Sequence, residues 1–176
     1  MPQYVALLRG INVGRAKAVS MAELASVFFE LGYTNVVTVS RSGNVVFGAR
    51  SATSAGAVAQ IEGAVLAATR LHSRVLLLDS ETFLTILDMN PLVAEVTDGS
   101  KAFVTFVTSM PTSLELPDAN LLAPELLAVG PAAVYQWMPD GSVRTRIPRS
   151  FWKQFDTPMT ARNWNTASKS RTILGG

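Results

Sequence analysis

The chain has 176 residues, enough for one domain or two small subdomains at ~100–200 residues per domain. It is 48% hydrophobic and 16% charged with a mean hydropathy of +0.27, which excludes a disordered chain. It has no cysteine and one histidine, His72, which excludes a disulfide framework, a thiolate nucleophile, a cysteine-ligated metal and any site needing two histidines.

A formal charge of +2 conceals an uneven distribution. Residues 1–50 carry a net +3, residues 51–140 a net −7 and residues 141–176 a net +6. Both ends are basic around an acidic middle. The basic segments either face water and the acidic middle or form a surface for an anion. Every long apolar run is interrupted by a charge such as Arg9, Glu62, Arg74 or Asp79, short of the ~18–20 residues a membrane span needs. Without a basic leader or cysteines, the expected compartment is the cytoplasm, with no membrane partner.

In chain order, Gln3 to Arg9 reads as a buried strand, followed by a loop from Gly10 to Ala18. Ser20 and Glu23 have capping-box spacing, so a helix is expected from Met21 to Leu31, stopped by Gly32. Its stripe is Met21, Leu24, Ala25, Phe28 and Leu31. Asn35–Val39 and Asn44–Gly48 read as a hairpin through Arg41-Ser42-Gly43. An Ala-rich helix spans Ala55 to Leu71, and Arg74 to Leu78 is a strand. The order β-α-β-β-α-β is the ferredoxin-like plan, an antiparallel sheet with both helices on one face. Phe47 alternates with Val45 and points to the core, so the exposed aromatic platform of RNA-recognition modules is not expected.

The second half reads as a smaller α+β subdomain. Ser80 can cap a helix through Leu87, and Ala102–Thr108 is a strong strand. Pro111–Pro117 is a loop and Leu121–Leu127 a short helix. Ala133–Met138 and Ser142–Ile147 are expected to pair through an Asp140-Gly141 turn. Thr157-Pro158 reads as the start of a last helix reaching about Arg171. The expected division is 1–80 and 81–176, with the C-terminal helix packing back on the first subdomain. The acidic stretch Glu95–Ser100 is a candidate boundary.

Three polar motifs stand out. Gly10 to Lys17 follows a strand and precedes a helix, the position of phosphate loops, without Walker or G-x-G-x-x-G spacing. Arg41-Ser42-Gly43-Asn44 is a turn at the same end of the sheet as Arg9 and Asn12. Thr160 to Thr166 occupies the first turns of the expected last helix, where helix-end N–H groups and Arg162 suit an anion. Trp164 is expected in the core, and His72 is expected to be solvated or to cap the Ala-rich helix. No activating base accompanies Ser42, Ser80 or Thr160, and the carboxylates lack metal-loop spacing, so no catalytic residue, cofactor or metal is assigned.

Tyr4 to Gly14, Ser42 to Phe47 and Thr160 to Thr166 together resemble the hallmarks of the domain-of-unknown-function family 1697 over Met1 to about Lys169. The resemblance implies a bacterial cytosolic α+β protein with a ferredoxin-like N-terminal part and a second α+β subdomain, and brings no activity. Arg15-Ala-Lys17 and Thr145-Arg146 depart from the usual family residues but keep positive charge. The expected function is an anion site for a nucleotide or nucleic-acid backbone, between the first sheet and the last helix. It would use Arg9, Asn12, Arg41, Ser42, Asn44, Thr160, Arg162 and Asn163. Two alternatives stay open: an enzyme positioning a small phosphorylated or carboxylated substrate electrostatically, and a structural lock of the last helix on the first sheet. The sequence does not set the oligomeric state.

Overall fold

The computed structural model describes residues 1–12, 18–50 and 56–175. Its chain divides into two compact units, Met1–Leu84 with Ser168–Gly176 and Thr85–Ala167. The acidic stretch at 95–100 lies inside the second unit.

The first unit contains β1 (Gln3–Arg9), α1 (Met21–Glu30), β2 (Thr34–Val39), β3 (Asn44–Gly48), α2 (Ala57–Thr69) and β4 (Arg74–Asp79). The sheet order is β2-β3-β1-β4 with antiparallel neighbours, the strand order that the βαββαβ plan requires. Tyr4, Ala6 and Leu8 alternate onto one face of β1 and meet Val45 and Phe47 of β3. Both helices cover that face, α1 through Leu24, Val27 and Phe28 and α2 through Ile61 and Val65. Phe47 is fully buried, with the rings of Phe28 and Tyr33 centred 5.1 and 4.4 Å away.

Local chemistry sets the ends of α1. Ser20 Oγ accepts from the Glu23 N–H and Glu23 Oε2 accepts from the Ser20 N–H, both at 3.1 Å, the capping box read from the sequence. Gly32 follows at φ +84°, a conformation glycine adopts without Cβ strain. The next helix, α3 (Ser80–Asp88), is capped one residue earlier than expected. Asp79, rather than Ser80, accepts from the Thr82 N–H and the Thr82 hydroxyl, each at 2.8 Å.

The second unit contains β5 (Ala102–Val107), α4 (Ala119–Leu122), β6 (Leu126–Val129), β7 (Ala133–Trp137), α5 (Arg149–Trp152) and β8 (Met159–Asn163), which leads into α6 (Trp164–Ile173). Its sheet order is β6-β7-β5-β8. Val107, Val134, Ile147, Phe151 and Phe155 form its core with Leu122.

Three sequence expectations are corrected in this unit. The helix expected through Leu127 stops at Leu122, and Leu126–Val129 becomes edge strand β6, because Pro124 has no N–H to continue a helix. Ser142–Ile147 does not pair with β7. Its start is a short 3-10 turn, and the nearly buried Glu125 carboxylate takes the Arg146 N–H at 2.7 Å and the Thr145 hydroxyl at 2.8 Å. The last helix begins at Trp164 rather than Pro158. Residues Met159–Asn163 extend along β5 with Thr160 and Arg162 inward and Ala161 outward, a period of two rather than 3.6.

The Asp79 cap carries a pH signature. Its carboxyl sits below the ordinary carboxylate value, held there first by the Thr82 N–H. The stabilisation is therefore complete above the unfolded-state value of ~3.9 and is lost as pH falls through the lowered folded value. Asp79→Ala is expected to cost about 1 kcal/mol near neutral pH, measured by urea unfolding, and to cost less when the titration is repeated at pH 2–3.

Candidate functional site

Antiparallel pairing brings three chain segments to one end of the first sheet. β1 leaves at Arg9, β3 enters at Asn44 opposite Leu7, and β4 enters at Arg74 directly opposite Arg9. The turn between β2 and β3 is pinned to β1, where the Leu8 N–H donates to the Gly43 carbonyl at 2.8 Å. Gly43 has φ +75°, and an added Cβ would lie 3.0 Å from Leu8 Cβ and 3.1 Å from Ile11 Cβ. Only glycine fits both the conformation and the space. Ser73 donates its hydroxyl to the Arg9 carbonyl at 2.8 Å and ties the β4 entrance to the same end.

The amides expected to contact a ligand are engaged with the protein itself. Asn12, at φ +55°, donates from Nδ2 to the carbonyls of Val19 and Arg41 at 3.0 and 2.9 Å. Its Oδ1 accepts from the Val19 N–H at 2.7 Å. That side chain closes the loop between β1 and α1 and joins it to the turn. Asn44 is fully buried, and its Nδ2 donates to the Val39 carbonyl and to Ser42 Oγ, both at 2.9 Å. The remaining loop residues named from the sequence, Gly14, Arg15 and Lys17, lie outside the described residues.

Arginine side chains differ from these amides. Arg9, Arg41 and Arg74 are exposed, and so are Arg70 and His72 at the exit of α2. Arg70 itself forms the left-handed cap of α2 at φ +63°. Among the described residues, two carboxylates belong to this end. Glu23 is turned back onto Ser20, and Glu62 accepts from the Val75 N–H at 2.9 Å while standing 3.6 Å from Arg74. Sequence reading missed Glu62, Arg70 and Arg74. The strand order would have revealed Arg74, since β4 must enter where β1 leaves.

Beside this end, α2 and the β4 entrance border an open cleft of about 400 Å³. Ala59, Glu62, Gly63 and Leu66 form its helical wall, with His72 and Arg74 opposite. Nothing lies within 4 Å of a Cβ built on Gly63, so packing does not require this glycine. Gly63→Ala is expected to stabilise the protein by about 0.5–1 kcal/mol in thermal unfolding, through helix propensity alone.

The third motif lies in the second unit, on β8 and the start of α6. Arg162 is 7% exposed and donates from Nη1 to Thr160 Oγ1 at 2.7 Å and to the Ala161 carbonyl at 2.8 Å. Desolvation lowers its pKa to about 10, so it remains a cation at neutral pH. Thr160 is also buried. Asn163 Oδ1 accepts from the Thr166 N–H at 2.9 Å and caps α6. Thr160 and Arg162 are thus strand residues, not members of a helix first turn.

Among the described residues, no group of three His, Cys, Asp or Glu side chains is placed to hold a metal ion. No described helix is long and apolar enough to cross a membrane. A family model described as a protein of unknown function (DUF1697) matches residues 1–135. The match includes the first two motifs and ends before the third. Among curated proteins, none matches. A solved structure of the conserved bacterial protein SP0830 from Streptococcus pneumoniae is similar, with a TM-score of 0.70 and 25% identity over 98% of each chain.

Asn44 serves as scaffold for the turn. Asn44→Ala leaves the buried Val39 carbonyl without this donor and is expected to cost about 1–3 kcal/mol in urea unfolding.

Proposed function

The chain belongs to the DUF1697 family, and for it we propose a phosphate-binding surface at the basic end of the first sheet, serving a nucleotide or a nucleic-acid backbone. The observation that carries it is the register setting exposed Arg9 directly across from exposed Arg74. Like charges facing one another across a ladder oppose folding, by roughly 0.2–1 kcal/mol for such pairs. An anion between them adds to the relief that Glu62, 3.6 Å from Arg74, already supplies. Arg41, on the turn pinned to β1, adds a third exposed guanidinium at the same end. Guanidinium forks match phosphate oxygens in geometry and charge.

In this arrangement Asn12, Ser42 and Asn44 shape the surface and the arginines make the contact. The motif from Thr160 to Thr166 takes a structural role, supported by its hydrogen bonds along β8 and into α6. No residue is assigned to bond-making chemistry. The cysteine-free composition fits a reducing compartment such as the cytoplasm, and the family resemblance points to a bacterial one.

Fluorescence anisotropy with labelled single- and double-stranded oligonucleotides tests the surface. Binding should weaken steeply between low and moderate salt. Arg9→Gln and Arg41→Gln should each reduce affinity evenly across sequences and lower the salt slope by about 1. The combined Arg9, Arg41 and Arg74 to Gln variant, shown folded by its thermal transition, should not bind. Absence of binding at low salt, or an unaltered triple variant, overturns the proposal.

A further inference from the structure

We infer that the cleft between α2 and the β4 entrance is a nucleobase pocket, which makes the ligand a nucleoside phosphate whose base carries an exocyclic amino group. This rests on the phosphate-binding reading, because Arg74 belongs to both the cleft and the basic end.

Four observations combine. Ala59, Glu62, Gly63 and Leu66 recur at helical spacing, so one face of α2 forms a continuous wall. Gly63 sits mid-helix on this wall, and a Cβ built there has open space around it, so the wall is bare at its centre. The half-buried Leu66 gives a flat ring an apolar surface, and the exposed His72 borders the same space. A volume of about 400 Å³ falls within the range of small-ligand sites, ~300–1,000 Å³.

Glu62 supplies the specificity. Its carboxylate is fixed in place, with Oε1 accepting from the Val75 N–H at 2.9 Å and Oε2 standing 3.6 Å from Arg74 Nη1. A carboxylate has about four lone-pair sites, so one N–H contact leaves capacity for further donors. The Glu62 side chain is 23% exposed, open to the cleft yet partly desolvated. Such a carboxylate accepts from an amino group and repels a carbonyl oxygen. It therefore favours cytosine over uracil and adenine over hypoxanthine. Arg74, at the mouth and in register with Arg9, leads from the base to the phosphate-binding arginines.

Calorimetric titrations of the full chain with the pairs CMP and UMP, and AMP and IMP, test the pocket. In at least one pair the amino-bearing nucleotide should bind fivefold or more tightly than its oxo partner. Glu62→Gln keeps an oxygen for the Val75 N–H but adds a donor, and should bring that ratio close to one. Gly63→Leu should block the cleft and abolish mononucleotide binding while the thermal transition stays as high as wild type or rises. If both pairs bind without discrimination, if Gly63→Leu binds like wild type, or if only oligonucleotides bind, the pocket is overturned and the phosphate surface stands. If neither mononucleotides nor oligonucleotides bind at low salt, both fall.

Discussion

The close approach of the β2–β3 turn to the end of β1 is the constraint on which the first unit depends. A single glycine conformation permits it, because at Gly43 a Cβ would press on both Leu8 and Ile11. With the turn seated, its carbonyl receives the Leu8 N–H and β1 is held on both sides up to its last residues. Asn12 then imitates a strand partner for Val19 and reaches the Arg41 carbonyl. The β2–β3 turn is thereby tied both to the end of β1 and to Asn12 by neutral hydrogen bonds.

The sequence made the first unit largely legible because its signals are local and consistent. The capping box at Ser20 and Glu23, the turn at Gly43 and the alternation of Val45 with Phe47 all agree with one sheet. In the second unit, tertiary pairing overrode local cues. Asp140-Gly141 looks like a hairpin turn, yet β7 already pairs β5 and β6, and Glu125 fixes the next segment as a loop. Thr157-Pro158 looks like a helix start, but β5 offers an open edge, and Thr160 to Asn163 fill it. Pro124 was a readable stop signal for the helix expected across it.

The candidate site was half legible for a similar reason. Arg9 and Arg41 follow from chain order alone. The asparagines attract notice because they are polar and sit at turns, and the same property fits them to satisfy backbone groups there. Asn12 and Asn44 are occupied in that way. Arg74 and Glu62 lie in segments that look ordinary in the sequence, and only the register and the fold of α2 over β4 give them meaning.

Glu62 also resolves a tension in this end of the sheet. β4 is an edge strand, and an open edge invites pairing with another chain. The Glu62 carboxylate occupies the Val75 N–H and so blunts the edge where it begins. Its contact with Arg74 is long and solvent-facing, so it contributes little to stability, of the order of 0–1 kcal/mol. A group placed only to neutralise Arg74 would gain little from being partly buried, whereas one held by a backbone N–H keeps its orientation whether or not Arg74 is nearby. The carboxylate is therefore an acceptor oriented by the backbone, and the edge of the sheet stays blunted whether or not Arg74 keeps its contact.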